Sequence, residues 1–586
     1  MASTDEEVDQ HIVEETYRVG WPVLQPLPSS FRACNRQEEK DWEEADGIVH
    51  DILVAQSVEV HRFALVRQRT AGTSSTVPMF RIEAHNKGSG KASWRNAVLR
   101  IVRGLQNFLV DNVQIHVEMV ERGYPRLLPA EPEDAAVDIW ANKLAPRVMD
   151  ILERRSMLWQ SLQLVRFSSV CSSDRFLTVL IEAANVLDSG WSNARADIVS
   201  ALDGTRCRLA IWQMLKVDGL GREDPDSTKL DDHLWGDVMS VGDGIGAAGE
   251  ENGAGTAGGL IHLRSKHNGD TSPHILTSFQ AIKTPGLQQN LEPAPLQSIC
   301  LPRGSIAYPV KVPSTFESRA DLKRLNKSIQ DWHTRVHVRY DGHPSCVDRA
   351  DMGNELAKRE VERYKRGIAR CEEVISQVVE ISELPSGTVR ATSGFQHLAL
   401  EDKKFALEWA LVEVDPERLL SELPRPFFAL SRIPGVQRDF EIPAWANNQD
   451  QKWSRHAQLS QNVVKLGRMT GWTCGLLGAA PCFYRSLAKD DQVGDWHDRY
   501  GTVVECLQVF DRYAEETPED SRQIPLPFAF GGDSGSVVKD FYTGAWVGLL
   551  FGSHCMGWAL MTPIAAVMHS IESVTGEEVV DPVPLE

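Results

Sequence analysis

The sequence predicts a multidomain chain: an α/β N-terminal half, then a half in which strand-like segments flank a helical hairpin. Three observations carry this. The 586 residues, at ~150 per domain, exceed a single small module. A weak internal repeat occupies the first half. Between about 313 and 384 the apolar spacing turns helical over two long stretches.

In the repeat, Phe80-Arg-Ile-Glu-Ala84 is followed by Trp94, Asn96-Ala97, Ile101-Val102 and Leu105, and Val179-Leu-Ile-Glu-Ala183 by Trp191, Asn193-Ala194, Ile198-Val199 and Leu202. Each copy opens on a short apolar run, takes helical spacing after its Trp, and ends in an alternating segment, VQIHVEM from Val113 and CRLAIWQM from Cys207. That pattern is a strand, helix, strand unit used twice. Behind an N-terminal segment (1–70), the units span 75–125 and 138–216, the second opening on an amphipathic stretch from about Asp138 to Leu162. Neither copy holds a catalytic constellation.

A Gly-rich run, GDGIGAAGEENGAGTAGG from Gly242 to Gly259, contains a formal GxGxxG, Gly244-Ile-Gly246-Ala-Ala-Gly249. More glycine follows it where a dinucleotide site needs a helix. The expectation is a flexible linker over 217–254. Ser314-Thr-Phe-Glu317 reads as a capping box opening a helix to about His337, and a second helix runs from about Gly353 to Ile381 with the charge-rich KREVERYKRGIARCEE on a solvated face. His333, His337, His343 and Cys346 have spacing that a zinc ion accepts, but a helix C-terminus favours cationic His without any metal. No metal and no cofactor are expected.

Charge and composition exclude several classes. There are 62 Lys+Arg against 81 Asp+Glu, a net charge of −19, so nucleic acid is not the expected partner. Ten cysteines without a CxxC pair read as thiols of a reducing compartment. The opening MASTDEEVDQHIVEE lacks the basic start and apolar run of a secretory signal. GAWVGLLFGSHCMGWALMTPIAAVM, from Gly544 to Met568, is interrupted by Gly, Ser, His, Cys and Pro, and reads as two buried strands and a short helix rather than a membrane span. A cytoplasmic or nuclear protein without membrane contact is expected, with protein or peptide as partner and the oligomeric state left open.

The most specific chemistry lies in Phe530-Gly531-Gly532-Asp533-Ser534-Gly535-Ser536. A serine hydroxyl needs a base to become a nucleophile, and acyl chemistry needs N–H groups aimed at the oxyanion. In GDSGS the N–H groups of Gly532 and Ser534 would form that hole, with Ser534 in the nucleophile position.

This segment resembles the trypsin or chymotrypsin-like serine peptidases, in particular the large trypsin-like-domain proteins of filamentous fungi. The resemblance runs from about Gly255 to Gly576 through GTAGGLI at 255–261, HILTSFQ at 274–280, LEWALVEVD at 407–415, KLGRMTGWT at 465–473 and GWALMTPI at 557–564. It implies an all-β double barrel over 255–580, with the helical hairpin (about 313–384) inserted between the histidine and aspartate segments. It also implies that Gln280 stands where the catalytic histidine is expected and Glu408 where the aspartate is expected, while Ser534 is retained. A glutamine amide accepts no proton near neutral pH and is no general base. The expected function is a pseudopeptidase binding protein or peptide segments; the alternative is an active serine endopeptidase or esterase using another base, His497 or His554. His274, six residues before Gln280 on an extended segment, is expected about 20 Å away from that position, too far for a local substitution. The family's specificity pocket begins at Phe528, which offers no anchor to a basic side chain. The family's usual amine partner for the aspartate beside the serine is missing, so Asp533 finds another partner or the oxyanion hole is not formed.

Overall fold

In the computed structural model, the described residues are 13–14, 18–22, 29–33, 43–70, 76–85, 90–106, 108–110, 113–121, 126–168, 175–183, 190–213, 241–248, 254–284, 287, 298–304, 308–312, 314–337, 344–383, 386–414, 452–455, 457–485, 503–511, 528–553 and 558–584. Two compact units form: residues 1–216 with 478–503 and 517–520, and the remainder from 217 onward.

In the first unit, Thr76–His85 pairs in parallel with His116–Glu121, and the helix Gly90–Gly104 lies between them in sequence. Parallel strands need such a crossover, and the apolar stripe Trp94, Val98 and Ile101 packs against Phe80, Ile82 and Val117. Phe176–Ala183 and Arg208–Gln213 repeat the arrangement around the helix Gly190–Ala201. Here Trp191 and Ile198 share a core with Trp140, Trp159 and Ile181. The stretch expected as one amphipathic segment from Asp138 to Leu162 divides in two. The helix ends at Arg154, Ser156 takes a left-handed φ of 53°, and a buried strand runs from Trp159 to Ser168. Its alternation of Leu162 and Leu164 with Ser161 and Gln163 is a two-residue period, which fits a strand.

The second unit holds two six-stranded sets, one an open half-barrel sheet and one a closed barrel. The first comprises β1 (Gly244–Ala247), β2 (Gly259–Arg264), β3 (Thr271–Ser278), β4 (Pro309–Lys311), β5 (Gly387–Thr392) and β6 (Trp409–Val414). They pair in the order β2-β3-β6-β5-β4-β1. The second comprises β7 (Asn462–Gly467), β8 (Gly471–Leu477), β9 (Val504–Asp511), β10 (Val537–Asp540), β11 (Trp546–Ser553) and β12 (Trp558–Pro563). These close completely, as β7-β8-β9-β12-β11-β10 and back to β7. The same order occurs twice, which is the double-barrel architecture that the resemblance implies. The segment from Trp546 forms two buried strands followed by a helix, Ile564–Thr575. Among the described residues no helix is long and apolar enough to cross a membrane.

The Gly-rich run behaves differently from a linker where it is described. Gly244–Ala247 is buried as β1, pairing with β4 and with Gly255–Thr256. Glycine serves close approach here. A Cβ on Gly255 would lie 2.5 Å from that of Ala281 and 2.7 Å from the Ser534 carbonyl oxygen, and one on Gly258 would collide with the Gly535 carbonyl oxygen.

The hairpin enters between β4 and β5. It consists of α1 (Thr315–His337), the short α2 (Cys346–Asp351) and α3 (Glu355–Glu383). α1 starts one residue after Ser314, as expected; the side chain of Glu317 lies outside the described residues. A complete capping box is present at Ser345 and Asp348, at the start of α2. Where the insertion leaves and rejoins the barrel, Val312 N–H donates to Ser386 Oγ (3.0 Å), Ser386 Oγ donates to Val312 O (3.1 Å) and Ser386 N–H to Val310 O (2.8 Å).

Candidate active site around Ser534

The site begins with a turn that glycine permits. Gly532 and Gly535 have φ of +97° and +93°, values costly for any residue with a Cβ. Asp533 N–H bonds Phe530 O and Ser536 N–H bonds Asp533 O, closing the chain on both sides of the serine. Among the described residues the N–H groups of Gly532 and Ser534 bond to nothing, whereas that of Asp533 between them is used. Two donors on alternate residues of the turn are thus without a partner among the described residues. Ser534 Oγ donates a long bond, 3.3 Å, to Phe551 O on β11.

Asp533 fixes this turn from beneath. It is fully buried, and its carboxylate accepts from Lys465 Nζ (3.0 Å), Thr470 Oγ1 (2.7 Å) and the N–H groups of Met469 (2.8 Å), Thr470 (3.3 Å) and Phe530 (3.0 Å). Burial alone would push its carboxyl up; the Lys465 charge and these hydrogen bonds outweigh that and hold it below its ordinary value. Lys465 is itself fully buried and also bonds Thr470 Oγ1 at 2.5 Å. Lys465 is therefore the partner that Asp533 needed. Any side chain on Gly467 would intrude on the pair, which accounts for glycine in KLGRMTG. In the sequence this residue shows only as a lysine between the apolar Val464 and Leu466 of what is a buried strand.

The first barrel meets this turn through its glycines. Thr256 N–H donates to Ser534 O (2.8 Å), Thr256 Oγ1 to Gly532 O (3.0 Å) and Arg468 N–H to Thr256 Oγ1 (3.1 Å). A Cβ on Gly535 would lie 2.6 Å from Thr277 Oγ1 and 2.7 Å from Ser278 N, so the end of β3 rests on the residue after Ser534. Two residues further, Gln280 sits half-buried in the one-turn helix Phe279–Ile282.

Glu408 immediately precedes β6. Its backbone oxygen accepts from Phe279 N–H at 2.8 Å, and its side chain accepts from Gln280 N–H. Trp409 anchors the segment: its N–H bonds Ser393 Oγ (2.9 Å) and its indole N–H bonds Ser570 Oγ (3.0 Å). Glu408 Oε1 is buried and without a partner among the described residues. Burial pushes this carboxyl up to about 8, against the opposing pull of the Gln280 N–H and the Lys283 charge. The shift favours its neutral form.

The structure thus joins Gln280 to Glu408, and joins the end of β3 to the Ser534 turn. It keeps His274 apart: fully buried in β3, with Nδ1–H on Ser272 O at 3.1 Å and a value lowered by burial to about 3. His497 and His554 lie outside the described residues. Phe528 is fully buried in the second-barrel core with Val463, Leu477 and Val509, its carbonyl taking the Thr473 hydroxyl at 2.7 Å. In the hairpin, His333 and His337 stack at 6.1 Å, Cys346 bonds Ala357 O at 3.7 Å, and His343 lies outside the described residues. Among the described residues no three His, Cys, Asp or Glu side chains converge as metal ligands would.

No family model matches the chain, nor does any curated protein. Among solved structures it is similar to a glutamic acid-specific serine protease that uses a histidine triad in substrate binding, at 10% identity and a TM-score of 0.23 over 58% of this chain and 100% of that one. It is similar also to Thermobifida fusca protease A, at 12% and 0.24 over 58% and 98%. Cellulomonas bogoriensis chymotrypsin gives 14% and 0.18 over 34% and 81%. These likenesses are too distant to assign an activity, and the fold rests on the strand order of the two barrels.

Proposed function

We propose that this chain is a noncatalytic peptidase-fold protein that binds a protein or peptide segment in the cleft around Ser534. One observation carries the reading: the residue whose N–H bonds the Glu408 carboxyl, in the first-barrel segment beside the Ser534 turn, is a glutamine. An amide neither takes the hydroxyl proton nor returns it to a leaving amine, and loss of the base costs about 10⁶ in turnover in a serine protease. Protonated Glu408 has no charge with which to orient or stabilise an imidazolium. The oxyanion donors and the Asp533 anchor remain, and these suit binding.

A serine-directed fluorophosphonate tests this. The expected result is no labelling of Ser534; stoichiometric labelling that disappears in Ser534→Ala would establish the alternative, an active serine endopeptidase or esterase with another base. The double substitution Gln280→His with Glu408→Asp is expected to introduce labelling, because the donor pair is already in place.

A further inference from the structure

We infer that the Ser534 cleft holds the free C-terminal carboxylate of a peptide, an inference that rests on the noncatalytic reading above. The donors carry it. The N–H groups of Gly532 and Ser534 stand on alternate residues of one turn with no partner among the described residues, and that turn is fixed by the five contacts to Asp533. Such a pair gives its full strength to an oxygen bearing charge, since hydrogen bonds to an ionised acceptor are roughly twice as strong as neutral ones. In a working peptidase that charge exists only while the serine adds to the carbonyl. With no base to start the addition, a ligand must bring the charge with it, and a peptide brings it at its C-terminus.

Two further features favour an anion. The carboxyl of Glu408, whose counterpart in a working triad would be ionised, is kept neutral by burial, and Lys283 lies within electrostatic reach of it. Asp533 is neutralised by Lys465 within the turn. The second carboxylate oxygen is left for the Ser534 hydroxyl, whose bond to Phe551 O is long, and for the half-buried Gln280 amide, a donor that carries no charge of its own.

The test uses the full chain and N-biotinylated octapeptides randomised at their last four positions, made once as free acids and once as C-terminal amides. Retention of the free acids about tenfold above the amides is expected, with Gln280→Glu, a near-isosteric change that sets a carboxylate beside the site, lowering the acids to the level of the amides. Ser534→Ala is expected to weaken the acids severalfold while leaving the two backbone donors in place. Equal retention of both pools overturns the inference and leaves peptide binding standing. Retention of amides in proportion to their Asp and Glu content moves the site to acidic side chains and overturns the terminal assignment. Retention of neither pool, or hydrolysis of either, overturns the noncatalytic peptide-binding reading and the inference with it.

Discussion

Lys465 Nζ lies 3.0 Å from Asp533 Oδ2, and both side chains are wholly withdrawn from solvent. This pair ties β7 of the second barrel to the turn that carries Ser534. Removing one member strands the other in a medium of low dielectric, a loss of about 3–5 kcal/mol. Lys465→Met is therefore expected to lower the midpoint of chemical unfolding strongly. The double change Lys465→Met with Asp533→Asn should recover part of that loss, because no charge is then left unpaired.

The same pair sets an acid limit. The Asp533 carboxyl is held below its ordinary value of 3.8 in the folded state, so the unfolded chain binds the proton first. The stability it contributes is complete above 3.8 and is lost as pH falls through the lower folded value. Unfolding free energies of the wild type should drop in that acid window. Asp533→Asn should be less stable near neutrality and flatter across it.

Glu408 acts with the opposite sign. Its folded value of about 8 lies above its ordinary 4.5, so the folded chain holds a proton that the unfolded chain releases. Its contribution is fully present below 4.5, declines as pH rises towards 8 and is flat beyond. Glu408→Gln keeps an acceptor for the Gln280 N–H without that penalty. Denaturation at pH 5 should show little gain for the variant; at pH 8 the gain should reach roughly a few kcal/mol.

His274 supplies a third pH signature. Its imidazole is held neutral, with a folded value of about 3 against 6.5, so stability is lost as pH falls from 6.5 towards 3. In His274→Leu that part of the acid dependence should vanish, and the Ser272 carbonyl loses its donor. No change in fluorophosphonate reactivity of the Gln280→His, Glu408→Asp background is expected, since His274 is not the base.

Glycine substitutions separate sterics from backbone preference. Gly258→Ala drives a methyl into the Gly535 carbonyl beside Ser534, and a loss of about 3 kcal/mol is expected. Gly269, in the hairpin between β2 and β3, has φ +77° but open space around its Cβ position; Gly269→Ala should cost only about 1–2 kcal/mol. Thermal melts of the two variants give the comparison.

Local patterns made much of the site legible. GDSGS pointed to a tight turn, which Gly532 and Gly535 make with positive φ, and the segments HILTSFQ and LEWALVEVD pair as neighbouring strands. Lys465 was not legible as a partner, because 68 residues separate it from Asp533 and only a folded barrel brings them together. Composition misled at Gly244–Ala247: glycine that relieves steric crowding in a barrel and glycine that loosens a linker look alike in a string of letters. At Asp138–Leu162 the apolar count hid a change of period, from 3.6 in the helix to 2 in the strand.

The clasp of Val312 with Ser386 has a consequence for folding. Across it the chain leaves and rejoins the barrel within one hydrogen bond, although the two residues are 74 positions apart. Closing a loop grows only slowly more costly with its length, about 0.6 kcal/mol per doubling, and within the insertion α1 packs against α3. To the barrel, the insertion is thermodynamically little more than a turn. A protein of this design is free to lengthen, shorten or exchange its helical arm while the pairing of β4 with β5 keeps its register.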